Sequence, residues 1–307
     1  MYGTIRVMPD LHPTHIPHWR PAAALLCAAL TVSGCADGSN NPGKVKPTSG
    51  QVASLSSQTS PATAAAQTAP RILTPHIVRE HPFNNRDFIE GLDVTPDGNI
   101  LVSTGLNGQS RIYTRTVDGA ESNVQPLPAM YFGEGTAVHK DTAWQLSWQQ
   151  GVAFHRHLRD LSPMGDGPEG NGQFHYDGEG WGLCANDRGL VMSNGSGELT
   201  FRDPETFHPT GQLRVTLQGQ PTSSLNELDC GPDGRIWANV WQTNLIYGID
   251  ATTGAVTDVV DTTGTLPAAT KPGVDVLNGI AHIPGTDRFY ITGKNWDTLY
   301  EVTFEPK

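Results

Sequence analysis

Glu90-Gly91-Leu92-Asp93-Val94, followed by Pro96-Asp97-Gly98 and then Ile100-Leu101-Val102-Ser103, is the stretch from which the fold can be read. Two short apolar runs flank an Asp-Gly turn, which is the pattern of an antiparallel hairpin. The plan recurs four times. Glu134-Gly135-Thr136-Ala137-Val138 precedes Ala143-Trp144-Gln145-Leu146-Ser147-Trp148, and Trp181-Gly182-Leu183-Cys184 precedes Leu190-Val191-Met192-Ser193. Asn226-Glu227-Leu228-Asp229 runs through Pro232-Asp233-Gly234 into Ile236-Trp237-Ala238-Asn239-Val240-Trp241. Asn278-Gly279-Ile280-Ala281 runs through Pro284-Gly285 into Phe289-Tyr290-Ile291-Thr292-Gly293. Aligned on Gly91, Gly135, Gly182, Glu227 and Gly279, the units lie about 44 to 52 residues apart.

Most units continue into a further strand, at 110–114, 198–202, 244–250 and 298–304. Several short strands per unit, with no long helical periodicity, predict an all-β fold, specifically a five-bladed β-propeller. The spare strand from Leu73 to His81 is expected to complete the last blade and close the ring, removing an exposed edge. In such a ring the first strand of each blade lines a central channel. Matched positions of different repeats then converge at one mouth: Glu90, Glu134, Trp181 and Asn226, with Asn278 nearby. Trp148, Trp241, Lys294 and Trp296 follow the second strands of their units. Trp144 and Trp237, inside those strands, read as core.

The chain ahead of these repeats has a different composition. An apolar run from Pro21 to Val32 follows Arg20, too short to span a bilayer, and ends in Val32-Ser33-Gly34-Cys35. That fits a bacterial lipobox with Cys35 acylated; the alternative is an ordinary secretory signal. Residues 36–70 are almost all Ser, Thr, Ala, Gln, Gly, Asn and Pro, too poor in apolar surface to fold. The expected organisation is a signal peptide over 1–34, a lipidated cysteine and tether over 35–72, and one folded domain over 73–307. The protein is then an exported cell-envelope lipoprotein, held to the bilayer on the outer face of the membrane or in the periplasm, and a monomer. With 31 Asp and Glu against 20 Lys and Arg, the net charge of −11 argues against a nucleic-acid partner. Cys184 and Cys230 remain in the folded part, either as a disulfide or as two buried thiols. No Cys-Cys or His-Cys spacing suggests a metal site, and His155 and His157 on one strand face are a weak exception.

Seven stretches carry a resemblance. They are Phe88-Ile89-Glu90-Gly91-Leu92, Tyr131-Phe132-Gly133-Glu134-Gly135, Gly180-Trp181-Gly182-Leu183, Leu225-Asn226-Glu227-Leu228, Trp237-Ala238-Asn239-Val240-Trp241-Gln242-Thr243, Val276-Leu277-Asn278-Gly279-Ile280 and Ile291-Thr292-Gly293-Lys294-Asn295-Trp296. In this order and spacing the domain resembles the plant-type glutaminyl cyclases over about Val78 to Phe304. The resemblance implies a five-bladed propeller that converts N-terminal glutamine of peptides to pyroglutamate and releases ammonia. It implies Glu134 as the central catalytic group with Asn226 and Lys294 beside it, and a substrate pocket of Phe88, Phe132, Trp148, Trp181 and Trp241. Glu90 belongs to the same pocket, at a position where the plant enzymes carry glutamine. No cofactor is required for that catalysis, although a structural ion in the channel is compatible with it.

The chemistry also follows from the residue types. Lactam closure is intramolecular, so the site must hold a bent glutamine, take a proton from its amine and return one to departing ammonia. One carboxylate can carry that proton. Two other readings compete: a non-catalytic propeller binding a peptide or cell-envelope ligand, and a metal-dependent propeller lactonase or lyase using Glu90, Asn226 and Asn278.

Overall fold

The computed structural model describes residues 68–307; the expected signal peptide, Cys35 and nearly all of the tether lie outside the described residues. β1 spans Arg71–Pro82. β2 (Ile89–Val94), β3 (Ile100–Thr104), β4 (Arg111–Arg115) and β5 (Glu121–Pro126) form an antiparallel sheet in chain order. A second such sheet contains β6 (Gly133–His139), β7 (Thr142–Ser147), β8 (Val152–His157) and β9 (Gln173–His175). A third contains β10 (Leu183–Asn186), β11 (Gly189–Met192), β12 (Glu198–Arg202) and β13 (Pro209–Arg214). β14 (Thr216–Leu217) and β15 (Gln220–Pro221) make a small ribbon. The remaining strands are β16 (Leu225–Cys230), β17 (Arg235–Val240), β18 (Leu245–Asp250), β19 (Val256–Asp261), β20 (Leu277–His282), β21 (Phe289–Gly293) and β22 (Thr298–Pro306).

These last seven strands correct the expected fold. Five separate blades are not formed. β1 pairs antiparallel with β22 from Leu73↔Pro306 to Pro82↔Thr298, and pairs parallel with β19 over Arg71, Ile72 and Leu73. One eight-stranded sheet results, in the order β16-β17-β18-β19-β1-β22-β21-β20, in place of the last two blades of a five-bladed propeller. The physical reason is that a strand has two edges. Antiparallel pairing to β22 uses one edge of β1, and the other edge satisfies the free N–H and C=O groups of β19. The sheet nearly closes on itself, because its end strands meet: Ile280 N–H of β20 donates to Glu227 Oε2 of β16 at 2.9 Å.

Elsewhere the first strands β2, β6, β10, β16 and β20 lie side by side around a common axis. Glycine makes this approach possible. A Cβ on Gly91 would come within 2.6 Å of Thr136 N, and one on Gly135 within 2.5 Å of Leu183 N. The fourth repeat has Glu227 at the matched position, and its carboxylate fills the axis by accepting Leu92 N–H at 3.1 Å as well as Ile280 N–H. The second strands are buried along most of their length because neighbouring sheets cover both faces: Ile100, Leu101 and Val102 are fully buried. Trp144, stacked 4.9 Å from Phe207, and Trp237, against Phe289 and Phe304, are the core residues of these layers.

Candidate active site

The first strands carry register irregularities at the positions that matter. They fall between Ile89 and Gly91, between Gly133 and Thr136, between Leu225 and Leu228, and between Leu277 and Ile280. A bulge inserts an unpaired residue and re-aims its side chain. Glu90, Glu134, Asn226 and Asn278 each sit inside one of these irregularities. Backbone contacts fix them there. The Glu134 carbonyl accepts the Ser103 hydroxyl, and Gly135 N–H donates to the Trp181 carbonyl at 2.7 Å. The Asn226 carbonyl accepts Ser193 Oγ–H at 2.7 Å.

A cavity of about 340 Å³ opens on this end of the axis, at the lower end of the size range of small-molecule pockets. The structure brings together in its lining all nine side chains expected there: Glu134, Asn226 and Lys294, then Phe88, Glu90 and Phe132, then Trp148, Trp181 and Trp241. Trp296 is not among them. Its indole packs over Gly293 in the core and donates to the Asp275 carbonyl at 3.0 Å. Gln242, Asp275 and Val276 also line the cavity, and the sequence reading missed them. Gln242 and Val276 stand within the quoted motifs, directly beside Trp241 and Leu277, which is the signal that could have found them.

Charge is concentrated on one side. Lys294 Nζ donates to Glu90 Oε1 at 2.7 Å and lies 4.5 Å from the centre of the Phe88 ring. Asn278 Nδ2 donates to Glu90 Oε2 at 3.2 Å and to the Ile89 carbonyl at 3.0 Å. Burial pushes the Glu90 carboxyl up to about 7, although Lys294 opposes the shift through its charge and its hydrogen bond. Glu134 is 6 % exposed. Burial raises its pKa well above the ordinary carboxylate range, and the charge of Glu90 adds to this while Lys294 works against it. Lys294 is bonded to Glu90 and acts on Glu134 through its charge, so the ionisation of Glu134 depends on both neighbours. Asn226 is buried, and its side-chain Oδ1 has no hydrogen-bond partner among the described residues. A buried acceptor left open in a cavity is a place for a donor from a ligand.

The aromatic wall has two parts. Phe88 meets Phe132 edge-on at 6.2 Å, Phe132 meets Trp148 at 5.6 Å, and Trp181 meets Trp241 at 5.4 Å. Glu179, in the loop before Trp181, accepts both indole N–H groups on Oε2, from Trp148 at 2.8 Å and from Trp181 at 2.9 Å. It lies between repeats, and nothing in the repeat pattern marks it. Among the described residues no group of three or more His, Cys, Asp or Glu is arranged to hold a metal ion. His155 is tied to Asp166 through Nδ1 at 2.7 Å and stacks 4.1 Å from Trp144 in the core, away from this cavity. Cys184 and Cys230 form a disulfide between β10 and β16, with their Cα atoms 5.4 Å apart.

An all-β scaffold that gathers a coupled carboxylate pair, an open amide oxygen and an aromatic wall at one end of its axis defines a small-ligand acid–base site. The chain belongs to the glutamine cyclotransferase family, whose model matches residues 51–304. It is 32% identical over 239 residues to a glutaminyl-peptide cyclotransferase of Arabidopsis thaliana, covering 76% of this chain and 72% of that protein. It is also similar to the crystal structure of Myxococcus xanthus glutaminyl cyclase, with 34% identity and a TM-score of 0.70, covering 78% of this chain and 99% of that one.

Proposed function

We propose that this chain is a glutaminyl-peptide cyclotransferase of the plant type, converting the N-terminal glutamine of peptides and proteins to pyroglutamate with release of ammonia. The observation that supports this reading most directly is Glu134, a buried carboxylate of raised pKa that lines the same cavity as the unpartnered Asn226 Oδ1. The substrate α-nitrogen attacks the side-chain carbonyl carbon, Cδ, and a new N–Cδ bond closes the five-membered ring. Glu134 takes the proton that this nitrogen sheds and returns it to the side-chain nitrogen, whose bond to Cδ breaks as ammonia leaves. A raised pKa suits both halves of that transfer near neutral pH. Asn226 Oδ1 accepts from the amine or the carboxamide N–H. Lys294 spends one of its three N–H donors on Glu90 and has two for the oxyanion on Cδ–O. The aromatic wall excludes water and grips the glutamine side chain.

The chemistry needs no metal in this reading. Incubation with a glutaminyl peptide, with and without exhaustive chelation, is expected to release ammonia equally in both arms. Glu134→Gln keeps the shape but cannot exchange a proton, so turnover is expected to fall by at least about 100-fold with the fold intact. Unchanged turnover would remove Glu134 from this role.

Ahead of the folded part we place a lipoprotein signal peptide and a tether, with Cys35 acylated at the cell envelope. The Ser-Gly-Cys site after an apolar run is what supports this. Fatty-acid labelling in a bacterial host should mark the wild-type chain and not Cys35→Ala; equal labelling of the two would refute it.

A further inference from the structure

Among the described residues, Glu179 is the charged group that ties the two halves of the aromatic wall together. Phe88, Phe132 and Trp148 form one half, and Trp181 with Trp241 forms the other. No direct ring contact joins Trp148 to Trp181; the link is the shared Glu179 Oε2, with Oε1 accepting Gln149 Nε2 at 3.0 Å. The backbone repeats the connection, because Gly180 N–H donates to the Trp148 carbonyl at 3.0 Å. Indole N–H groups have one donor each and a definite direction. Fixing both on one oxygen therefore sets the rotation of both rings about their Cβ–Cγ bonds.

We propose that Glu179 is a positioning residue for cyclisation: it holds the Trp148 and Trp181 indoles as adjoining walls of the slot that receives the glutamine side chain. The proposal rests on the cyclotransferase reading for what enters the slot. Its geometry stands independently. Burial works against ionisation of Glu179, but its donors Trp181, Gln149 and Trp148 outweigh it and hold the carboxyl below its usual range, so the anion is the form that accepts these bonds. The same charge acts on Glu134 through space, adding to what burial and Glu90 already do to raise it.

Indoles that grip the substrate act on ground state and transition state alike. Loosening them should therefore raise KM and leave kcat nearly unchanged. Both indole hydrogen bonds and the one from Gln149 are lost in Glu179→Ala, and the expected rise in KM is about 10-fold or more. Glu179→Gln keeps a carbonyl oxygen able to accept both indoles, so its KM should return to within about twofold of wild type. Its lost charge should appear elsewhere, as a shift of the acidic limb of the kcat/KM profile to lower pH, because one contribution holding Glu134 protonated is gone.

The test measures KM, kcat and the pH profile on one glutaminyl peptide, together with far-UV and near-UV circular dichroism of wild type and both variants. Support is a raised KM and an altered tryptophan near-UV spectrum in Glu179→Ala, both restored in Glu179→Gln, with far-UV spectra superimposable. An unchanged KM in Glu179→Ala, or a Glu179→Gln variant as impaired as the alanine one, would overturn it. Should the wild-type chain leave glutaminyl peptides intact, the function assigned above fails. The near-UV spectra then decide the positioning role alone: no difference between wild type and Glu179→Ala sinks it.

Discussion

The sequence resemblance marks Glu90 as a departure from the plant-type pattern, and its surroundings give that expectation a direction. Its carboxylate raises the pKa of Glu134, while Lys294 opposes the rise. Glu90→Gln removes the first influence and releases the lysine charge to act on Glu134 alone. Both changes favour the ionised form of Glu134, so the acidic limb of kcat/KM should move to lower pH with turnover retained. A pH–rate profile of wild type and variant on one peptide measures it, and superimposable limbs would show that the carboxylates do not communicate. The sequence made the membership of this pocket legible, because repeats place Glu90, Glu134 and Asn226 at matched positions. It did not show that Lys294 pairs with Glu90, since that contact depends on side-chain reach across two sheets. Glu179 was illegible for a different reason: it stands in a loop outside every repeat, where periodicity carries no information.

At the level of strands, the decisive feature is the irregularity in four of the five first strands, β10 being the regular one. Strict alternation would send successive side chains to opposite faces. Bulges at Glu90, Glu134, Asn226 and Asn278 break that rule where the chemistry lies. The glycine next to three of these four residues was visible in the sequence, but not that the ladder slips there, because a slip is decided by the register of the partner strand. Cys184 and Cys230 show the same limit. Their types allowed two thiols or one bond, and only the adjacency of β10 and β16 decides. The disulfide joins two cysteines 46 positions apart in the chain. By chain entropy such a cross-link stabilises by about 4 kcal/mol. A Cys184→Ser/Cys230→Ser double variant should therefore lose about 3–4 kcal/mol of unfolding free energy in urea relative to the oxidised wild type. A loss under about 1 kcal/mol would mean that the unfolded chain is already constrained there.

Across the whole molecule, an unusual number of carboxyls are buried around the axis. Burial pushes Asp93 and Asp229 up to about 7, as it does Glu90, and it raises Glu134 and Glu227 well above their usual range. In the unfolded chain these groups ionise near pH 4, so between about pH 4.5 and 7 the native state binds more protons than the unfolded state. Stability then falls as pH rises through that window. His139, whose pKa burial lowers, has the opposite slope but is one group against five. Urea midpoints should be higher at about pH 5 than at about pH 8; a profile that climbs over this range would contradict the assignment. Repetition made the five units and their common axis legible. The eight-stranded sheet was not, because the parallel pairing of β1 with β19 is a backbone contact over Arg71, Ile72 and Leu73 that no side-chain pattern announces.

The placement of β1 also bears on how the protein is made. His81 of β1 and Glu301 of β22 touch across 220 residues of intervening chain. A ribosome adding about 5–20 residues per second needs on the order of ten to forty-five seconds to deliver the second strand after the first. During that interval β1 emerges with two unsatisfied edges and no neighbour, a template for any other extended chain. The sheets from β2 to β13 can assemble in the order of their synthesis, whereas the seam cannot be sewn until translation reaches β22. Holding β1 unfolded through that wait is a task for the cell's chaperones, and slow or stalled translation near β22 should show first as aggregation.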